Sequence, residues 1–117
     1  MKNNLFKISL VYAIVMHILV SVAIYFGWLG PMAGAGAEFC EAARDGIIKQ
    51  PVNTFSNFGF GLLGILAAFQ VDKGLFKGKN AITTNSSIAL FFILLMISLG
   101  PGSIAMHATE SAWGGYF

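Results

Sequence analysis

Three long apolar runs constrain the fold of this chain more than any other feature. They extend from Ile8 to Leu29, from about Val52 to Gln70 and from about Ile88 to Met106. A helix that crosses the hydrocarbon core of a bilayer needs about 20 mostly apolar residues, and each run comes close to that length. We therefore predict an all-α fold of three transmembrane helices in a multi-pass integral membrane protein.

The composition points to the same class of protein. Hydrophobic residues make up 56% of the 117 residues and charged residues only 10%, whereas a soluble domain carries about 25% charged residues. The net charge of +2 comes from scattered lysines, so nothing indicates a nucleic-acid partner. The single cysteine, Cys40, cannot form a disulfide within the chain. The expected surroundings are the lipid bilayer.

The first apolar run has two interpretations. Lys2 and Lys7 precede it as a signal peptide's basic region would, and Ala35-Gly36-Ala37 resembles a cleavage site. The apolar core of about 22 residues is, however, longer than the 7–15 residues or so of a signal sequence. We favour a retained membrane helix, followed by a short Gly/Ala linker at residues 34–37.

The distribution of charge predicts the orientation in the membrane. Lysines precede the first run and also lie between the second and third, at Lys73, Lys77 and Lys79. By the positive-inside rule, these two segments are cytoplasmic. The loop from Glu38 to Lys49 and the His107 end of the third run then meet on the non-cytoplasmic side.

The end of the third run carries the side chains with the most chemistry. Ser103, His107 and Glu110 are spaced by four and three residues, which on a helix places them on one face. Ionisable groups at membrane depth are costly and usually functional. The spacing permits three roles for His107: a metal ligand, an acid/base partner of Glu110, or a base that activates Ser103.

A metal site needs more than this one histidine. Zinc takes about four ligands, of which a catalytic site draws about three from protein. The other histidine, His17, lies near the middle of the first run. We expect it to be a neutral imidazole that hydrogen-bonds to a neighbouring helix, and not to share a site with His107.

The second run begins with a helix-start signal and carries a stripe of polar and small residues. Pro51 suits the first turn of a helix, where its missing N–H is no loss. The stripe follows at spacings of three and four residues, at Asn53, Asn57, Gly61, Gly64 and Ala68. Small residues allow membrane helices to approach closely, and asparagines can hydrogen-bond between helices. Asn53 and Asn57 are therefore either packing residues, which we favour, or direct participants in chemistry.

The acidic loop before the second run also has two interpretations. Glu38, Glu41 and Asp45 offer the carboxylate oxygens that calcium prefers. Alternatively, Arg44 and Lys49 pair with these acids and no ion is needed.

Two separated blocks of sequence together resemble the alkaline ceramidase family, in the superfamily of seven-helix membrane hydrolases that also includes the adiponectin-type receptors. The first block joins Glu38-Phe39-Cys40-Glu41 to Gln50-Pro51-Val52-Asn53-Thr54-Phe55-Ser56-Asn57, and the second is Gly100-Pro101-Gly102-Ser103-Ile104-Ala105-Met106-His107-Ala108-Thr109. The resemblance covers residues 38–117 and implies the N-terminal part of a ceramidase-like membrane domain, with helices at about 52–70 and 88–106. Residues 1–37, with their own helix and linker, are an addition before that core.

The resemblance implies a zinc-dependent amidase that cleaves the N-acyl bond of ceramide-like lipids with zinc-activated water. His107 matches the family's first zinc histidine, and Ser103 matches the serine beside the zinc. The family's catalytic aspartate stands eleven residues after that histidine, which here is just beyond Phe117, and its other two zinc histidines lie on a late helix. We therefore expect a longer protein whose C-terminal helices complete the site, and we expect this chain alone to be inactive. The alternative is a receptor or accessory protein that keeps the scaffold without turnover.

The resemblance also implies a calcium site. Glu38 and Glu41 match two of its acidic ligands, and the backbone carbonyl of Phe39 matches a third. Gln50 and Ala43 stand where other members carry oxygen ligands. Because two ligands are thus missing, we favour a cluster without calcium, in which Arg44 neutralises Glu38 or Glu41.

Overall fold

The computed structural model describes residues 4–31, 41, 43–75, 80 and 84–111. Their regular structure consists of helices: α1 (Leu5–Tyr25), α2 (Pro51–Ser56), α3 (Phe58–Asp72) and α4 (Ser86–Thr109). Within the described residues, three segments are long and apolar enough to cross a membrane: Leu5–Tyr25, Pro51–Asp72 and Ser86–Thr109. The predicted all-α fold with three candidate membrane-spanning helices is confirmed, and it indicates a membrane protein.

The helix boundaries differ from the predicted ones in ways that local sequence explains. Helix α1 ends at Tyr25, and the chain then turns through Gly27, whose φ of 69° favours glycine. The second span is interrupted at Asn57, where one residue in a turn separates α2 from α3. Helix α4 continues beyond Met106 to Thr109 and ends where Glu110 adopts a left-handed conformation with a φ of 45°.

Several sequence predictions concern residues outside the described part of the chain. These are the roles of Lys2, Glu38, Phe39, Cys40, Lys77 and Lys79, the linker at residues 34–37 and the segment 112–117.

Helices α1, α3 and α4 pack against one another in pairs and enclose a small apolar core. The buried members of this core are mostly alanine, valine, isoleucine and leucine: Leu5, Ala13, Ala68, Val71, Ala89, Ile93 and Ile97. Large apolar side chains such as Leu62 (69% exposed) and Val11 (61% exposed) point outward. A soluble protein this small rarely exposes so much apolar surface, whereas lipid tails solvate it readily.

Glycines bring the three helices into close contact. A Cβ atom on Gly64 would overlap Cγ1 of Ile97, and one on Gly61 would lie 2.9 Å from Cε1 of His17. On α4, a Cβ atom on Gly100 would lie 2.9 Å from the backbone oxygen of Asn57. Gly61 and Gly64 of the predicted stripe therefore lie at the contacts with α1 and α4.

At the end of the bundle away from His107, a carboxylate of α3 caps the start of α1. Asp72, the last residue of α3, accepts hydrogen bonds from the backbone N–H groups of Leu5 (3.3 Å) and Phe6 (2.8 Å). These N–H groups belong to the first turn of α1, where no residue of the helix itself can pair with them. Asp72 thereby joins the start of α1 to the end of α3, at the end of the bundle away from His107.

Candidate functional site

The loop before α2 is hydrogen-bonded to the C-terminal end of α4. The backbone N–H of Lys49 donates to the carbonyl of Ala108 (2.8 Å), and that of Gln50 donates to the carbonyl of His107 (3.1 Å). Orphan carbonyls at the end of α4 thus find partners far away in sequence. The described end of the acidic loop therefore lies against the His107 end of the third span, as was predicted for these two regions.

Gln50 lies at the centre of this end of the bundle. Its side chain is fully buried, and its amide oxygen Oε1 lies 2.6 Å from Nδ1 of His107. Its amide nitrogen Nε2 donates to the backbone carbonyl of Glu41 (2.8 Å) and to Oε1 of Glu110 (2.6 Å). One glutamine therefore connects the loop, α4 and the residue that follows α4.

Glu110 is buried but only half satisfied. Its side chain is 8% exposed, and its second carboxylate oxygen, Oε2, has no hydrogen-bond partner in the described part of the chain. Because the helix ends at Thr109 and Glu110 is left-handed, the prediction that it extends the helical face of Ser103 and His107 is wrong. Gln50 bridges His107 and Glu110 instead.

Glu41 caps the start of α2. Its two carboxylate oxygens accept the backbone N–H groups of Val52 (3.0 Å) and Asn53 (2.8 Å). Partial desolvation raises the pKa of Glu41, but these N–H groups and the positive charges of Arg44 and His107 outweigh it and lower the pKa below its ordinary value of 4.5.

The predicted cluster of Arg44 with Glu38 or Glu41 can be followed only at Glu41. Among the described residues Arg44 forms no ion pair with Glu41, and it acts on that carboxylate only through its charge at longer range. The carboxylate is occupied by the start of α2, since backbone N–H groups there lack partners within their own helix. Glu38, the other acid assigned to this cluster, lies outside the described residues.

The two asparagines of the second span act within their own segment. Nδ2 of Asn53 donates to Oε1 of Gln50 (3.2 Å), and Nδ2 of Asn57 donates to the backbone oxygen of Asn53. Asn57 thus supports the chain where the second span is interrupted. Asn53 contacts Gln50 directly. Neither of the two predicted roles, packing between helices or direct chemistry, included this contact.

Ser103 is half-buried, and its hydroxyl makes no hydrogen bond to His107 within the described residues. It lies one helical turn before His107 on α4. The serine therefore flanks the histidine without forming a nucleophile–base pair with it.

The second histidine is placed as expected away from this cluster, but with a different partner. Nδ1 of His17 bonds to the carbonyl of Ala13 in its own helix (2.6 Å), so the expected bond to a neighbouring helix is wrong. The ring stacks on Phe58 at 5.1 Å, and Nε2 is buried without a hydrogen-bond partner in the described chain. The ring packs closely against Gly61 of α3 and Gly100 of α4, and an apolar cleft that includes Ile14 and Leu62 lies beside it.

Metal-binding side chains do not gather into a complete set within the described residues. No group of three or more histidine, cysteine, aspartate or glutamate side chains that could hold a metal is found there. His107 has the donor chemistry of one zinc ligand, held by a hydrogen bond at its other nitrogen, as is usual for zinc histidines. The described residues therefore supply one side chain suited to zinc, and any further ligands would have to come from outside them.

An apolar groove of about 320 Å³ lies between α1 and α4, away from the polar cluster. It includes Met16 and Val20 of α1 with Pro101, Gly102 and Ala105 of α4. Ala105 and His107 are two residues apart, which places them about 200° apart around the helix. The groove and the histidine therefore lie on different sides of α4.

Searches against protein-family models, curated proteins and solved structures find no match to this chain. The class of protein that the structure defines is a bundle of three candidate membrane-spanning helices with a buried polar cluster at one end.

Sequence reasoning missed the central role of Gln50. Gln50 was noted only because it stands where the alkaline ceramidases carry an oxygen ligand of calcium. The available signal was a polar side chain directly before a proline at a helix start, but its partners at His107 and Glu110 are 57 and 60 residues away.

Proposed function

We propose that this chain forms part of a membrane-embedded, zinc-dependent hydrolase of ceramide-like lipid amides, with His107 as one zinc ligand. The observation that carries the proposal is the 2.6 Å contact between Nδ1 of His107 and the buried amide of Gln50. An imidazole held in this way has the orientation expected of a metal ligand. Its place at the end of a candidate membrane span and the resemblance of the two sequence blocks to the alkaline ceramidases add support.

In the proposed reaction, water adds to the acyl carbon, the C–N bond breaks and the leaving amine takes up a proton. Zinc supplies the Lewis acidity that such a reaction needs when it is bound. His107 would hold the metal at the membrane boundary, and Ser103 would offer a hydroxyl one helical turn away for the substrate's polar group. Gln50 keeps the imidazole in place while the surrounding buried side chains limit access of bulk water.

The substrate reaches this site along a route other than the small-residue stripe. At that stripe, the ring of His17 lies against Gly61 and the side chain of Ile97 lies against Gly64. The sides of α4 that bear Ser103 and His107 therefore offer the better approach for a lipid amide.

The test is metal analysis and ceramide hydrolysis by the protein expressed from its complete reading frame and purified in detergent. We expect bound zinc and zinc-dependent release of fatty acid, both lost in His107→Ala. His17→Gln is the matched control, because it removes the histidine outside the cluster, and it should retain both properties. The 117-residue chain alone should be inactive.

Two outcomes would contradict this function. A metal-free protein, or one that still cleaves lipid amides without His107, would refute the role of the histidine. A protein that binds zinc through His107 but turns over no lipid amide would favour the receptor or accessory role.

Calcium binding is tested separately. We propose that the acidic loop needs no calcium, and tight calcium binding in a titration would contradict that.

We also propose that the N-terminus and the Lys73 end are cytoplasmic, which places the cluster on the non-cytoplasmic side. The hydrogen bonds of Asp72 to the start of α1 bring Lys7 and Lys73 to the same end of the bundle, as the positive-inside rule requires of cytoplasmic lysines. In a Cys40→Ser background, an impermeant thiol reagent should label Asp45→Cys on intact cells and Lys73→Cys only after permeabilisation. The reverse pattern would invert the topology.

A further inference from the structure

We infer that Gln50 is a positioning residue that fixes the proton of His107 on Nδ1, so that the neutral ring carries its lone pair on Nε2. The metal itself rests on the proposed function. The hydrogen-bonded arrangement does not, because it is formed by side chains and backbone of this chain alone.

The first step is the orientation of the Gln50 amide. Its nitrogen lies 2.8 Å from the backbone carbonyl of Glu41 and 2.6 Å from Oε1 of Glu110. A backbone carbonyl can only accept, so the amide group that faces it must be the NH₂. In the flipped orientation, the amide oxygen would face both the carbonyl of Glu41 and Oε1 of Glu110. Only one orientation satisfies the partners.

The second step is the proton on His107. With the amide fixed, the atom 2.6 Å from Nδ1 of His107 is the oxygen Oε1 of Gln50. An amide oxygen can only accept, so Nδ1 must carry the proton and donate it. In the neutral ring, Nε2 then holds the lone pair, which is the form of histidine that binds metals.

The third step is that this arrangement is built into the fold. Gln50 is fully buried and its backbone N–H donates to the carbonyl of His107 (3.1 Å). The backbone bond holds Gln50 beside His107, and the side-chain bond to Nδ1 then holds the orientation of the imidazole. The backbone carbonyl of Glu41 and the side chain of Glu110 determine the orientation of the Gln50 amide. That amide in turn determines the orientation of the imidazole.

The experiment is nitrogen-15 NMR of the protein with labelled histidines, in detergent and without metal. The two imidazole signals are assigned with His17→Gln. We expect a protonated Nδ1 and an unprotonated Nε2 for neutral His107. Gln50→Met, which keeps the side-chain length but removes the amide, should shift the population toward the Nε2-protonated form. It should also weaken zinc binding to the complete protein by about 10–100-fold.

Two further variants separate positioning from folding. Asn53→Ala removes the other donor to the same amide oxygen and should leave the His107 form unchanged. Gln50→Asn keeps an amide before Pro51 on a side chain that is one methylene shorter and cannot reach the histidine, so it should change the His107 spectrum as Gln50→Met does.

Each outcome decides the matter. An Nε2-protonated wild-type His107, or a folded Gln50 variant with an unchanged His107 spectrum, overturns the inference. A changed spectrum in a protein that never binds zinc leaves Gln50 as the positioning residue while the proposed function fails. If neither Gln50 variant folds, the wild-type spectrum alone decides between the two nitrogen assignments.

Discussion

The middle of the bundle and its His107 end are held together by different forces. In the middle, the helices meet through glycines, where Gly64 lies against Ile97 and Gly61 lies against the ring of His17. At the His107 end, the contacts are hydrogen bonds, and the buried Glu110 keeps one oxygen unpaired in the described chain. Packing alone needs no such side chain, since a buried polar atom without a hydrogen bond destabilises a fold. The middle is therefore held by close packing and the His107 end by hydrogen bonds, and our proposed function assigns the chemistry to the His107 end.

The largest effect should come from filling the contact between α3 and α4. We expect Gly64→Ala to lower the free energy of unfolding by about 2–3 kcal/mol, because its Cβ would overlap Ile97 in a rigid contact. Reversible unfolding in mixed detergent micelles, followed by circular dichroism, measures this loss.

Gly59→Ala provides the matched control for the packing of α3. No atom of the described chain lies within 4 Å of a Cβ built there, so its stability should change by less than about 1 kcal/mol. Equal losses in both variants would show that the middle of the bundle is not held by close packing.

The second effect concerns the strain at the end of α4. Glu110 is the one described non-glycine residue with a positive φ, at 45°. Glu110→Gly and Glu110→Ala both remove the carboxylate, but only alanine keeps the strain of the left-handed conformation. The glycine variant should therefore be more stable than the alanine variant by about 1–2 kcal/mol.

The same pair of variants tests the division between stability and chemistry. If the cluster serves function, both variants should lose lipid hydrolysis in the complete protein even though glycine favours folding. Full activity in Glu110→Gly would remove Glu110 from the functional site.

A smaller effect is expected at the opposite end of the bundle. Asp72→Ala removes the acceptor for two N–H groups at the start of α1 and should cost about 1 kcal/mol of unfolding free energy. Asp72→Asn, which keeps an acceptor, should recover most of it. Asp45→Ala, at an exposed loop position, should change nothing measurable, and an equal loss there would argue against the cap.

The smallest effect is a pH dependence at the His107 end. Because the pKa of Glu41 is lowered in the folded protein, its carboxylate stabilises the fold above its ordinary pKa of 4.5. That contribution disappears as the pH falls through the lowered value, since the unfolded chain binds the proton first. The stability difference between wild type and Glu41→Gln should therefore shrink on acidification below pH 4.5. A difference that stays constant with pH would show that the cap does not depend on the charge.

Much of the fold could be predicted because membrane-spanning helices are set by local properties. A run of apolar residues such as Ile88 to Met106 satisfies its backbone within one helix, so its length and composition suffice. Pro51 predicted the start of the second span for a similar local reason. The interruption at Asn57 could not be predicted, because it depends on the asparagine side chain and on the close approach of Gly100 from α4.

The candidate site could be predicted only in part. His107 and Glu41 stood out as ionisable residues at the boundary of apolar runs, which is a property of the sequence alone. Their connection through Gln50 required the loop and α4 to be side by side. Residues 57 apart become partners only when the chain has folded, since nothing in their spacing encodes the contact.

The sequence by itself determined the class of this protein: three apolar helices for a bilayer, with polar groups left at one end. The tertiary structure alone decided that Gln50 joins these groups and that Glu110 leaves the helical face. The physical reason is that hydrophobicity acts on each segment independently, whereas a hydrogen bond needs two groups at one distance and one angle.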